Sequence, residues 1–106
     1  MSNPFARFYN TEAVIVEKGD YDDYENTYTL TEKGRVNGDL QPYSGGLLEK
    51  EYGLNIECQK RFFCEHNENI TEGAYLKIGT RFFEVVYIVD WEMGLTVMLK
   101  EVTLNA

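Results

Sequence analysis

The sequence is poor in the residues on which enzyme chemistry commonly depends. Among its 106 residues are one histidine, His66, and two cysteines, Cys58 and Cys64. It contains neither a G-x-S-x-G nucleophile elbow nor a phosphate-binding loop. Because no nucleophile can be paired convincingly with a base, we expect no enzymatic activity, no catalytic residue and no cofactor.

Known metal-binding patterns are also missing. The cysteines and the histidine are spaced C-x5-C-x-H, which lacks a fourth ligand and the short paired spacing of structural zinc sites. An EF-hand starting at Asp20 fails, because Glu25 stands where glycine is needed and Thr31 where glutamate is needed. We therefore expect no metal site. Cys58 is predicted to be a small buried apolar residue, and His66 to lie in a polar loop.

Long apolar runs are absent as well. No run approaches the ~20 residues that a membrane-spanning helix requires. The amino terminus has no basic start followed by a long apolar stretch, so we expect no export signal, reduced thiols and a protein made in the cytoplasm.

Positive charge is scarce. The chain has 18 acidic and 10 basic side chains, a net charge of −8. Residues 1–32 hold seven acids and two bases, a balance of −5. Such a surface repels phosphate, so sequence-reading nucleic-acid binding is not expected.

Residues 70–102 are the stretch densest in β-branched and aromatic side chains, and glycines are its main interruptions. Gly79-Thr80 suits a two-residue type II′ turn, and Gly94 suits a short reversal with positive φ. The pattern predicts a meander of three antiparallel strands at residues 74–78, 81–91 and 95–102.

The middle strand of this meander has apolar side chains on both faces. One face is predicted to carry Phe83, Val85, Tyr87 and Val89, and the other Phe82, Val86 and Ile88. Such a strand needs cover on both sides, from a second sheet, barrel closure or a neighbouring subunit. We predict that Val86 and Ile88 are buried.

Four further strands are predicted upstream, at residues 11–18, 27–31, 35–41 and 54–65. The acidic segment 20–26 is predicted to be a solvated hairpin loop, residues 32–34 a turn, and Gly38 a bulge or bend. The predicted fold is all-β: a small antiparallel β-barrel or sandwich of about six to seven strands. It forms a single domain over residues 11–106, after an N-terminal arm at residues 1–10.

The longest segment without a strand pattern is predicted to be a flexible loop. Ser44-Gly45-Gly46 favours flexibility, and the six residues that follow suffice for about one and a half helical turns, too few for a helix that is stable alone. The segment comprises Tyr43, Ser44, Gly45, Gly46, Leu47, Leu48, Glu49, Lys50, Glu51 and Tyr52.

Aromatic residues also occur outside the predicted strands. Phe5, Phe8 and Tyr9 lie in the N-terminal arm, which could pack on the barrel or dock on a partner. Tyr21 and Tyr24 lie in the acidic loop. These five residues are the predicted partner interface.

From residue 36 onward, the order of features resembles one protein family, over about 65 of the 106 residues. The matching features are GDLQPYSG at residues 38–45, Gly53 followed by a strand ending in Phe62-Phe63, Ile70-x-x-Gly73, FEV at residues 83–85, YIVDW at residues 87–91, and Leu95-x-Val97-x-Leu99. The family is that of the head-tail joining, or head-closure, proteins of long-tailed bacteriophages and prophages.

The resemblance implies a small β-barrel that acts at the head-tail connector of a virion, after synthesis in the cytoplasm of a bacterial host. Such subunits form a ring, with portal and adaptor proteins above and a tail-completion or tail-tube protein below. The ring retains packaged DNA and provides the docking surface for the tail, and DNA passes through it without sequence recognition. The free protein is expected to be a monomer that contacts no membrane.

Within such a ring, residues 43–52 are predicted to line the lumen and gate it. The glycines would supply a hinge, Leu47 and Leu48 would meet equivalent residues around the axis, and Glu49 and Glu51 would face the DNA. The alternative is an ordinary surface loop whose leucines pack on their own barrel.

A second function remains open from the sequence. The chain would then be a small SH3-like or OB-like adaptor that binds a peptide or protein. Tyr21, Tyr24, Tyr28 and Tyr43 could form its aromatic groove.

Overall fold

The computed structural model describes residues 9–54 and 56–104. Phe5 and Phe8 of the predicted partner interface lie outside the described residues. The elements are β1 (Thr11–Asp22), β2 (Thr27–Pro42), α1 (Gly45–Tyr52), β3 (Lys60–Cys64), β4 (Tyr75–Ile78), β5 (Arg81–Trp91) and β6 (Gly94–Val102). The described part of the chain therefore has six strands and one short helix, and the predicted all-β fold is confirmed.

The six strands form one closed antiparallel barrel, in the order β1-β2-β3-β6-β5-β4. The ring closes where β1 pairs with β4, and this seam contains only the pairs Val14 with Lys77, Ile15 with Leu76 and Val16 with Tyr75. A sheet that closes on itself encloses its apolar face without a second layer.

The predicted meander is confirmed. Ile78 pairs with Arg81 across Gly79-Thr80, and Gly79 has a φ of 62°, as the first central position of a type II′ turn requires. At the next reversal, Trp91 pairs with Gly94.

Gly94 has the positive φ that was predicted, at 159°, a backbone conformation that L side chains rarely adopt. Packing requires glycine there as well, because a Cβ at this position would collide with the carbonyl oxygen of Cys64 on the neighbouring strand β3. Gly38 is required for the same reason, because a Cβ there would meet the ring of Phe62. No bulge lies at Gly38, which pairs with both Thr11 and Cys64.

The barrel interior is filled by apolar side chains from all six strands and the loop before β4. The buried members are Ala13, Ile15, Phe62, Cys64, Ile70, Leu76, Phe83, Val85, Leu95, Val97 and Leu99. A second, smaller cluster lies outside the barrel beneath α1. Its buried members are Tyr43, Leu48, Cys58 and Met98.

A bulge in β5 decides which of its residues are buried. Val85 pairs with Leu99 and Tyr87 with Met98, so Val86 is an extra residue and the alternation shifts after it. Ile88 therefore packs toward the interior, whereas Val86 joins the outer cluster. The prediction that Val86 and Ile88 are buried is wrong, since both are only half-buried.

Two predicted boundaries also change. Residues 32–34 are not a turn, because β2 continues through them with Lys33 as an extra residue opposite β1. The predicted strand at 54–65 is only Lys60–Cys64. Leu54, Ile56 and Cys58 pack against the outer cluster instead, and this packing accounts for the alternation that resembled a strand.

We predict that Gly94→Ala lowers the free energy of unfolding by about 1–3 kcal/mol, because β6 or β3 must move to admit a methyl group. Gly46→Ala is the matched control. It lies in α1, where the nearest atom to a new Cβ is the Oγ of Ser44 at 3.8 Å, so we expect a gain of up to about 1 kcal/mol. Urea denaturation of the two variants measures both values. Equal effects would contradict the close approach of β3 and β6.

Candidate functional site

The most prominent feature outside the barrel is a two-stranded arm, formed by residues 17–32. Pairing between β1 and β4 ends at Val16, and pairing between β2 and β3 begins only at Gly38. Among the described residues, those of β1 after Val16 pair only with β2, as far as Asp22 with Thr27. The arm lengthens the molecule, which measures 47 × 31 × 20 Å along its principal axes.

The turn at the tip of the arm is held by its own side chains. Oδ1 of Asp22 accepts hydrogen bonds from the backbone N–H groups of Tyr24 at 2.8 Å and Glu25 at 3.4 Å. Asn26 adopts a left-handed φ of 55°, which asparagine tolerates better than most residues. The acidic segment is thus an ordered hairpin turn, in agreement with the predicted hairpin loop.

Tyrosines and one lysine stabilise the arm and attach its root, the part next to the barrel, to β4. The rings of Tyr21 and Tyr28 lie 4.8 Å apart across the two strands, and the Tyr21 hydroxyl donates to Oδ1 of Asn26 at 3.1 Å. Nζ of Lys18 lies 4.5 Å from the centre of the Tyr28 ring and 5.4 Å from that of Tyr75 on β4. Lys18 therefore links the arm to the barrel by cation–π contacts.

The tip of the arm carries negative charge that is not neutralised nearby. Residues 19–26 include four acids and no base, namely Asp20, Asp22, Asp23 and Glu25. Two of the bases at the root are paired with acids of the root, Lys33 with Glu17 at 2.9 Å, and Arg35 with Glu12 and Glu32. The third, Lys18, lies over the Tyr28 and Tyr75 rings. The hydrogen bond and charge of Glu32 raise the pKa of Arg35, so this cation stays protonated.

The arm displays two residues of the predicted partner interface. Tyr24 is 99% exposed and Tyr21 is 44% exposed. Tyr9 is half-buried just before β1. Tyr21 and Tyr24 are therefore accessible to a partner, and their role as contact residues stays a prediction.

The four tyrosines proposed as one peptide groove are not brought together. Tyr28 lies near the start of β2 and Tyr43 just beyond its end. They are 15 residues apart along a chain that runs from the arm into the barrel wall. Tyr43 is also buried beneath α1. A groove made of Tyr21, Tyr24, Tyr28 and Tyr43 is therefore ruled out.

The predicted flexible loop at residues 43–52 is largely a capped helix. Oγ of Ser44 accepts a hydrogen bond from the backbone N–H of Leu47 at 3.2 Å, and Gly53 ends the helix in a left-handed conformation with a φ of 71°. Packing onto the barrel compensates for the shortness of this helix.

The two leucines of the predicted gate lie on different faces of α1. Leu48 is fully buried against Tyr43, Cys58 and Met98, whereas Leu47 is 44% exposed. The expectation that both meet equivalent residues around an axis is wrong for Leu48, because it holds the helix on its own barrel. Tyr52, Glu49, Lys50 and Leu47 remain on the exposed side.

Tyr43 connects the helix to the barrel surface. Its hydroxyl donates to Oε2 of Glu51 at 3.1 Å, and the guanidinium of Arg61 lies 4.9 Å from its ring centre. Burial, with a smaller effect from Glu51, raises the pKa of Tyr43 to about 12. Glu51 is therefore engaged by its own chain in this arrangement.

The residues with catalytic or metal-binding chemistry are dispersed. Cys58 is buried in the outer cluster, as predicted, and Cys64 lies in the barrel interior. Burial raises the pKa of Cys58, and raises that of Cys64 to about 12. His66 lies near Asp90 on the surface, with Nε2 2.9 Å from Oδ1.

Over residues 9–54 and 56–104, no group of three or more His, Cys, Asp or Glu side chains is arranged to hold a metal ion. No helix in the same residues is long and apolar enough to cross a membrane. A scan against models of known protein families found no match for this chain, and a search of curated proteins found none either.

The continuity of the arm is not evident from the sequence. Gly19-Asp20 and residues 32–34 resemble strand ends, but each lies at a register shift within a strand that continues. The available signal was the pair of tyrosines at positions 21 and 28, which are equally spaced about the tip and face each other across the strands.

We predict that Leu48→Ser lowers the free energy of unfolding by about 3–5 kcal/mol, through the lost apolar contacts and the buried hydroxyl. Leu47→Ser should cost less than about 1 kcal/mol, because the side chain is largely in water. Thermal or urea denaturation compares these neighbours directly. Similar losses for both variants would show that α1 does not pack as described.

Proposed function

We propose that this chain is a head-closure subunit at the head-tail connector of a long-tailed phage or prophage. The observation that carries the proposal is the combination of a closed small barrel with a projecting, exposed and acidic arm. The barrel agrees with the fold that the resemblance implies. The arm gives such a subunit a contact element that its own core does not need.

The features that carry the resemblance coincide with positions on which the barrel depends. Gly38 allows the ring of Phe62 to approach β2, and Gly53 caps α1. Residues 83–91 and 95–99 form the two central strands β5 and β6. These matches support the shared fold. The shared function is proposed by analogy, because one fold hosts many functions.

The negative charge of the chain suits a subunit that forms the wall of a DNA channel. The net charge is −8, and the four acids of residues 19–26 have no base among them. A ring of such subunits repels phosphate, so DNA passes without adhering. The arm tip, with Tyr21 and Tyr24, is the proposed contact with portal or adaptor proteins on one side, or with tail-completion or tail-tube proteins on the other.

Because residues 45–52 form a helix, only its exposed side could line a lumen. Leu47 and Glu49 are exposed on α1 and remain available to a ring interior, whereas Leu48 is not. Any gating by this segment would therefore move α1 as a capped unit, with Gly45 and Gly53 at its two ends.

The test uses particles of the encoding phage assembled without this protein. We expect DNA-filled heads that lose their DNA and do not attach tails, observed by electron microscopy. Complementation with the wild-type gene is the control, and Leu47→Ser tests the exposed side of α1 without unfolding the chain. Tailed particles that retain their genome without this protein would refute the proposal.

The second candidate function is a protein-binding adaptor. The exposed arm favours it, because an ordered hairpin with unpaired edges can accept a strand of a partner. An adaptor outside the connector predicts normal particles in the same experiment, so the two functions are distinguished.

A further inference from the structure

The arm leaves one edge of β2 without a partner. Residues 27–32 pair with β1 on one side, and β3 does not join the other side before Gly38. Within the described residues, no backbone group pairs with that outer edge of residues 27–32. Alternate N–H and C=O groups along it therefore face solvent, ready to pair with another strand.

The usual protections of an edge strand are missing over this stretch. Residues 27–31 read TYTLT, with no charge, no proline and high β propensity. Protection begins only at Lys33, where the strand bulges and the Asn69 side chain donates to the Lys33 carbonyl at 3.4 Å. The free edge of β1 is different, because the register shift between Lys18 and Tyr21 interrupts it.

We propose that a second copy of this chain pairs with this edge, antiparallel and about a two-fold axis at Thr29. In that register Thr29 faces itself, Tyr28 faces Leu30, and Thr27 faces Thr31. The pairs are aromatic with aliphatic and threonine with threonine, combinations that stabilise antiparallel sheets. The segment TYTLT is thus complementary to itself, as an isologous contact requires.

Neighbouring registers are poorer. A shift by two residues in one direction places Tyr28 opposite itself and Leu30 opposite Asn26. A shift in the other direction places Leu30 opposite itself and Tyr28 opposite Glu32. Each shift therefore keeps one apolar pair but leaves the other apolar side chain opposite a polar or charged residue. The register about Thr29 is favoured, because in it both Tyr28 and Leu30 face an apolar partner.

Charge supports the same register. Because the two strands run antiparallel, the alignment that places Thr29 on the axis directs the acidic tip of each arm toward the root of the other copy. The tip carries Asp22, Asp23 and Glu25, whereas Lys33 and Arg35 lie at the root. The existing ion pairs of Lys33 and Arg35 are exposed, so they can be shared or exchanged at small cost.

The proposed pair joins two arms into a four-stranded sheet and covers Tyr28 and Leu30. It differs from the monomer expected for the free protein. It is also distinct from a ring contact, because an isologous pair closes on itself and does not repeat around an axis. The inference therefore concerns the free protein and stands whether or not the chain acts in a virion.

Cysteine cross-linking of the full-length protein tests the register. In Thr29→Cys the two thiols face each other across the axis, within the Cα separation of 4.4–6.8 Å that a disulfide spans. Oxidised glutathione should convert this variant to a covalent dimer on a non-reducing gel. Native Cys58 and Cys64 are 4% and 0% exposed, so they do not interfere.

Thr31→Cys is the matched control. Residue 31 is exposed like residue 29. In this register, however, residue 31 of one chain faces residue 27 of the other, so the two residues 31 lie four positions, or about 13 Å, apart along the strands. Alone it should not cross-link, whereas a mixture of Thr27→Cys and Thr31→Cys should form a mixed dimer. Equal cross-linking of Thr29→Cys and Thr31→Cys, or none in either, would refute the proposed pairing.

Sedimentation equilibrium tests the dimer without an introduced cysteine. Thr29→Lys places two ammonium groups opposite each other and should raise the dimer dissociation constant about tenfold or more. Thr31→Lys, facing Thr27, should leave it nearly unchanged. A wild-type protein that stays monomeric at millimolar concentration, or equal effects of the two lysines, would overturn the proposal.

Discussion

The structure depends on a short seam. Three residue pairs between β1 and β4 convert an open six-stranded sheet into a closed barrel. Closure gives Phe62, Phe83 and their neighbours an enclosed interior without a second layer. Because the seam ends at Val16 while β1 continues to Asp22, it also determines where the arm leaves the barrel.

The remaining architecture follows from strands that are apolar on both faces. In β6, residues 94–99 are all buried, with Val97 directed into the barrel and Met98 into the outer cluster. The barrel covers one face and α1 covers the other. A short helix with caps at Ser44 and Gly53 is sufficient for this purpose, because Leu48 anchors it.

Much of the fold was predictable, since alternation and turn chemistry are local. The meander, the type II′ turn at Gly79 and the all-β class follow from residues that lie near one another in sequence. The bulge at Val86 and the collision that requires Gly94 were not predictable. Both depend on how closely a distant strand approaches, which a local pattern does not record. The seam itself pairs residues about 60 positions apart, and no local signal specifies it.

The candidate site was predictable only in part. The acidic hairpin and the exposure of Tyr21 and Tyr24 follow from composition and turn residues. The exposure of Leu47 and the burial of Leu48 could not be predicted, because they depend on which face of the helix meets Met98. The arm could not be predicted either, because its two irregular positions are register shifts within long strands and not strand ends. The same arm provides an acidic contact element for the proposed connector role and a self-complementary edge for the proposed pairing.

Closure of the barrel is the central claim, and nuclear magnetic resonance of the full-length protein tests it most directly. The account predicts cross-strand proton contacts between residues 14–16 and 75–77, with amide exchange across this seam as slow as that between β5 and β6. Absence of those contacts, with fast exchange at residues 14–16 and slow exchange in β5 and β6, would show an open sheet and contradict the account.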